Sequence, residues 1–244
     1  MRFTACCWNW AFSQSSIRFR KRVCGRKKTV DEVVNQNGEV TYSYDKLAAG
    51  IRQMSKEMPA STTEISAVAE AAGQLGIQTP AILDFTKTMV NLGVATNMSS
   101  EEAATALARF ANIVQMKQSD FDRLGATIVS LGNNFATTEK EITDMGLRLA
   151  GQGKQVNMSE ADIMGLAAAM SSVGIEAEAG GTAMSMVMKK INNAVYSGKG
   201  SLKGFADLAG MSAKQFQKAW KDDAAGALDD VVHGLQKTVK KEKI

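Results

Sequence analysis

Apolar residues recur along most of this chain at three- and four-residue spacing, the period of a helix with one buried face. Leu47, Ile51 and Met54 space out a helix that must stop near Pro59. Ser61 with Glu64 three residues on reads as a capping box ahead of Ile65, Val68, Ala72 and Leu75, closed by Gly76. Thr79 reads as an N-cap with Pro80 at the first helical position, and Ile82, Phe85, Met89 and Leu92 follow to a stop at Gly93. Ser99 with Glu102 opens Ala103, Leu107, Ala111 and Val114. Phe121, Leu124, Ile128, Leu131 and Phe135 continue the period. Thr138 with Glu141 opens Ile142, Met145 and Leu149. Ser159 with Asp162 opens Ile163, Leu166, Met170 and Val173, and Gly174 separates these from Met184, Met188, Ile191 and Val195. Strand character is confined to Val33-Val34 and Val40–Tyr42 around Asn37-Gly38, a hairpin-type turn signal.

The pattern also repeats. Ile82-Leu83, Phe85, Met89, Leu92-Gly93-Val94, Leu107, Asn112 and Val114 are matched 81 residues later. Their counterparts are Ile163-Met164, Leu166, Met170, Val173-Gly174-Ile175, Met188, Asn193 and Val195. Gly210-Met211-Ser212 resembles Gly76-Ile77 before a capped helix, which suggests a further partial copy. The fold class expected is all-α, an array of antiparallel helical hairpins with this duplication. Four segments are expected: an arm over 1–27, a lead-in over 28–60, a duplicated core over 61–196, and a C-terminal helical segment over 201–244. Ser197 to Ser201 is a Gly/Ser link before the last.

Charge changes the picture at one end only. The first 30 residues carry eight basic side chains and no acidic one, and the remainder carries 21 basic against 25 acidic. A basic face over the whole fold, as nucleic-acid binding would require, is not indicated. Cys6, Cys7, Cys24, Trp8 and Trp10 all lie in the arm, whose basic cluster follows its apolar run, the reverse of a secretory signal. A non-native start of the reading frame is the expectation there.

Candidate chemistry is sparse. His233 is the single histidine, so neither a two-histidine zinc motif nor a convincing Ser–His–Asp set can be assembled. Gly151-Gln152-Gly153-Lys154 and Gly198-Lys199 lack the spacing of a phosphate loop and read as helix C-caps and linkers. The carboxylate pairs Glu101-Glu102, Asp120/Asp122, Asp222-Asp223 and Asp229-Asp230 mostly sit where helices start and complement the macrodipole. No catalytic, cofactor or metal residue is expected. The longest uncharged run of the repeat, Ile163 to Ile175, is too short to span a bilayer.

The stretch from about Lys28 to Lys237 resembles the conserved core region of phage tail tape measure proteins. The residues that carry this are Met54 through Pro59, Ala69 through Ile77, Phe85-Thr86, Leu92 through Ser99, Ala103-Ala104, Arg109 through Ile113, Ser171 through Ile175, Phe205-Ala206 and Ala209 through Ser212. Their order over the chain is the specific signal. The resemblance implies a non-enzymatic virion component lying in the lumen of the tail tube, assembled in the host cytoplasm, whose length sets tail length. It also implies that this chain is the core of a longer ruler, since at about 1.5 Å per helical residue it spans at most roughly 370 Å. Expected partners are copies of itself, the tail tube protein and tail assembly chaperones. They would cover apolar helix faces at Met184, Met188, Ile191, Phe205 and Trp220. Two alternatives stand beside it: a membrane-active channel built from helices 163–195 that meets the host membrane during DNA entry, and a cell-wall lysin using Glu101 or Glu102.

Overall fold

The computed structural model describes residues 33–34 and 40–242. The arm over 1–27 and the Asn37-Gly38 turn lie outside the described residues. Two short strands, β1 (Val33–Val34) and β2 (Val40–Tyr42), pair antiparallel with Val33 opposite Tyr42. Among the described residues, everything after them is helix, turn or loop. The helices are α1 (Tyr44–Glu57), α2 (Thr62–Gln74), α3 (Ile82–Ala95), α4 (Ser100–Val114), α5 (Phe121–Asn134) and α6 (Glu139–Gln155). Then come α7 (Glu160–Ser172), α8 (Ala177–Ser197), α9 (Leu202–Leu208), α10 (Ala213–Asp222) and α11 (Ala224–Glu242).

Side-chain caps start many of these helices. Ser43 accepts from the Lys46 N–H at 3.2 Å and Ser61 from the Glu64 N–H at 3.2 Å. At α4, α6, α7 and α10 the box is reciprocal, made by Ser99 with Glu102, Thr138 with Glu141, Ser159 with Asp162, and Ser212 with Gln215. Each satisfies two N–H groups that the first turn leaves orphaned. Thr79 departs from its expected place. It opens a 3-10 turn (Thr79–Ala81) whose N-cap position is Gln78, and α3 begins only at Ile82.

Most of the helix ends fall into two kinds. After α2, α4, α6, α7 and α9 a residue turns left-handed, and the next N–H reaches five residues back. The bonds are Ile77 N to Ala72 O (3.0 Å), Met116 N to Ala111 O (2.9 Å), Met158 N to Gly153 O (3.0 Å), Ile175 N to Met170 O (3.3 Å) and Met211 N to Ala206 O (2.9 Å). In every case Ile or Met follows the left-handed residue, the apolar clamp that accompanies this motif. Gly76, Gly174 and Gly210 supply three of the left-handed positions. Gln115 and Asn157 supply the others (φ 56° and 60°), with no glycine to mark them in the sequence. After α1 and α5 the chain instead leaves through an extended residue, Met58 or Phe135.

Gly93 does not end its helix. α3 runs on to Ala95, and a Cβ at Gly93 would strike Ser100 Oγ and lie 2.8 Å from the Ser100 backbone nitrogen. The glycine lets the start of α4 close onto the end of α3. Gly151 and Gly153 likewise lie inside α6 rather than at a cap.

The starts of alternate helices recur at intervals of 38 or 39 residues. α1, α3, α5 and α7 begin at Tyr44, Ile82, Phe121 and Glu160; α2, α4, α6 and α8 begin at Thr62, Ser100, Glu139 and Ala177. Two intervals carry α3 onto α7 and α4 onto α8. The 81-residue match of individual side chains therefore sits about one helical turn beyond the match of helix starts. A shift of one turn keeps apolar residues on the same face, which is why the sequence match survives it.

The described residues form two units. The first holds the residues through Val94 together with Ser99–Thr105. In it α1 packs on α2, and Leu47, Ile51, Ile65, Val68, Ile82, Phe85 and Met89 are buried. The second holds Ala95–Met98 and the chain from Ala106 onward. There α6 packs against both α7 and α8, and α5 against α6 and α7, over Leu107, Phe110, Ile128, Ile142, Met145, Leu149, Ile163 and Met164. The helices α9, α10 and α11 pack on one another, and α8 touches α9 and α10.

Candidate partner-facing surfaces

The second unit contains all five residues expected to face a partner. On α8, Met188 and Ile191 are fully buried and Met184 is half-buried. The same helix buries Val195 and presents Met186 and Val187 outward. Trp220 is also buried. Its Nε1 donates to Asn192 Oδ1 at 3.2 Å, and its ring stacks on Phe216 with centroids 6.3 Å apart. Phe205, half-buried, also stacks with Phe216, at 6.5 Å between centroids. Gln217 Nε2 donates to the Val195 carbonyl at 2.7 Å. These contacts fasten α9 and α10 to the end of α8. Met188, Ile191 and Trp220 thus move from the expected surface to the core. A helical stripe of apolar residues says that a face is covered, and here the chain's own helices cover it.

The outward apolar residues are others. Val173 and Ile175 flank the left-handed Gly174 between α7 and α8, and Val173 is 72% exposed. On α11, Val232, Leu235 and Val239 are exposed in a line. A groove of about 800 Å³ runs between α9 and α11, lined by Phe205, Leu208, Gly210, Asp230, His233 and Lys237. From sequence, Leu228, Val231 and Leu235 read alike as apolar positions of the last helix, and the structure separates them: Leu228 and Val231 are buried and Leu235 is exposed.

The groups with reactive potential are engaged in local structure. The Glu102 carboxylate accepts from the Ser99 N–H (3.0 Å) and hydroxyl (2.9 Å), so one member of the Glu101-Glu102 pair is a helix cap. Asp223 Oδ1 accepts from the Gly226 N–H at 2.9 Å at the start of α11. His233 Nδ1 lies 3.2 Å from Asp229 Oδ2 one turn earlier, with both side chains exposed. Gly198 is the left-handed C-cap of α8. Among the described residues, no cluster of three or more His, Cys, Asp or Glu side chains is placed to hold a metal ion. No described helix is long and apolar enough to cross a membrane.

The sequence matches the phage-related minor tail protein family over residues 48–244. The chain belongs to that family. No curated protein and no solved structure matches it. A minor tail protein is a structural component of the virion tail that works among other tail components, a role that suggests assembly surfaces rather than a catalytic centre. Exposed large apolar side chains of this minor tail protein include Val94, Ile113 and Phe135 as well as those on α8, at the α7–α8 turn and on α11.

Proposed function

We propose that this minor tail protein is the core of a tape measure that scaffolds assembly of the tail tube and sets its length. The observation that supports this reading is the 38- or 39-residue helical interval, sustained from α1 to α8 within a chain of a tail family. A ruler needs length in proportion to residue number, and a run of capped helices of constant interval provides that. Its partners are further copies of itself, the tail tube protein and tail assembly chaperones, acting in the tube lumen after assembly in the host cytoplasm.

The test is the tail length of phage carrying an in-frame deletion or a tandem duplication of residues 100–138, measured by electron microscopy. One interval, its helices opened end to end, corresponds to at most about 58 Å at ~1.5 Å per residue. Tails shortened by the deletion and lengthened by the duplication, in equal steps of no more than that amount, are the expected result. Normal tail lengths in both would remove the ruler reading and leave a tail component of another kind.

A further inference from the structure

We propose that two copies of this chain pair antiparallel along α8, each setting the acidic start of that helix beside the lysine-rich end of the other. The inference rests on the reading that copies of this chain assemble with one another, and it adds the surface and its orientation. All the residues it uses belong to the second unit.

Three observations carry it. First, the acidic surface. Glu176 and Glu178 are exposed at the start of α8. α6 lies beside them, with Arg148 Nη2 3.4 Å from Glu178 Oε1 and the Ser185 hydroxyl donating to the Arg148 carbonyl at 3.4 Å. Glu141 and Asp144, also exposed, share the Arg148 face of α6 at seven and four residues before it. Four carboxylates thus gather at this end against Arg148 and Lys140.

Second, the basic surface. α10 runs antiparallel along the last turns of α8, since Gln217 bonds to Val195 and Trp220 to Asn192. Its exposed lysines Lys214, Lys218 and Lys221 follow at intervals of four and three, and Asp222 and Asp223 come only where the helix ends. Lys221 Nζ lies 5.2 Å from the ring centroid of Tyr196, which is 66% exposed on α8. From 186 to 221 the chain holds seven lysines and one acidic residue, Asp207. Local helix stability does not account for the α10 stripe. Lys214 sits in the first turn, where the macrodipole disfavours a cation, and like charges three and four residues apart repel. A partner's carboxylates would relieve that repulsion.

Third, the placement. Glu178 and Tyr196 are 18 residues apart on one helix, five whole turns, so they point to the same side of α8 about 27 Å from each other. Exposed Lys189 lies between them, within about 20° of the same direction. Arg148 marks the acidic surface and Lys221 the basic one along that side. Two surfaces of opposite sign that face one way are self-complementary about a two-fold axis. Antiparallel pairing makes both contacts at once and closes at two copies. Parallel pairing would set carboxylates beside carboxylates and lysines beside lysines, which is unfavourable. The occupant is a second copy because the same chain carries the matching surface on the matching side.

The test is the mass of the full chain by light scattering across a concentration series at low and high salt. A dimer that dissociates as salt rises is expected, because the contacts are exposed charges. E176K/E178K should weaken it by about tenfold or more, and K214E/K218E/K221E likewise. Far-UV circular dichroism should stay unchanged, since all five side chains are exposed. The two sets combined in one chain should restore the dimer, because opposite charges meet again at both contacts. A monomer at every concentration overturns the proposal, as does a dimer that ignores either reversal set or is not restored by their combination. Masses that climb past the dimer overturn the closed antiparallel pair in favour of head-to-tail chains. A monomer that binds a labelled single-stranded oligonucleotide, and loses it in K214E/K218E/K221E, would assign the lysines to nucleic acid instead. The outcome is separable from the ruler reading. Tails that scale with residues 100–138 alongside a monomeric chain sink the surface alone, and fixed tails alongside an antiparallel dimer sink the ruler alone.

Discussion

At the residue scale, stability rests on caps whose chemistry can be titrated. Glu141 is the clearest case. Its carboxylate accepts from the Thr138 N–H and the Thr137 hydroxyl, both at 3.0 Å. The backbone hydrogen bond to Thr138 is the main cause that lowers its pKa from the ordinary glutamate value, followed by those to the Thr137 and Thr138 side chains. A carboxylate with a lowered folded pKa stabilises the fold above the ordinary glutamate range and loses that contribution as pH falls through the folded value. E141A should therefore cost about 0.5 kcal/mol at pH 7, in the range of an exposed cap. The gap to the parent should close as pH drops below the usual glutamate range. Urea melts at pH 7 and pH 3 check both statements, and an equal gap at the two pH values would refute the assignment. The box was legible from Thr138 and Glu141 alone, because capping is a contact over three residues. Gln115 and Asn157 were not. A left-handed residue that is not glycine is held there by the clamp of Met116 and Met158, which local spacing does not reveal.

At the element scale, helix positions were legible and helix pairing was not. Periodicity located Met188, Ile191 and Trp220 on apolar faces, yet whether another chain or α8–α10 themselves cover those faces depends on long-range packing. The glycines show the same limit. Gly93 reads as a stop, but the structure makes it a close-approach site, repeated one interval later at Gly132. The two sites differ in what a methyl group would meet. At Gly93 it is the Ser100 backbone nitrogen at 2.8 Å; at Gly132 it is the Glu139 side chain from Cγ (2.7 Å) to Oε1 (2.5 Å), which yields by rotating about its own bonds. G93A should therefore destabilise by about 1–3 kcal/mol, the range for overpacking against atoms that cannot yield. G132A should be neutral or stabilise by up to ~1 kcal/mol, because alanine is the better helix former. Guanidinium midpoints of the two variants decide it. A G132A variant as unstable as G93A would mean that Glu139 is held more firmly than its exposure implies.

At the scale of the whole molecule, the sequence located the chain among tail proteins through the order of its segments, and the family match agrees at that level. The interval length was hidden because an 81-residue residue match overlies two helical intervals with one turn of slippage. The interval has a consequence for design. Removing residues 100–138 joins Ser99 to Glu139, which places Glu141 three residues after Ser99 and so recreates a Ser–Glu capping box. It also brings Glu139 to the position that Ser100 holds beside Gly93, the same pairing that Gly132 and Glu139 make. Removing residues 100–119 instead deletes α4 with its left-handed turn and attaches α5 directly to the α3 exit. The alternation of helices would then be broken by half an interval. If stability is a sum over intervals and their neighbours, the full-interval deletion keeps a cooperative thermal transition and the half-interval deletion loses it. Circular dichroism melts of the two deletions make the comparison. Loss of cooperativity in both would show that the intervals, although equal in length, are not interchangeable in packing.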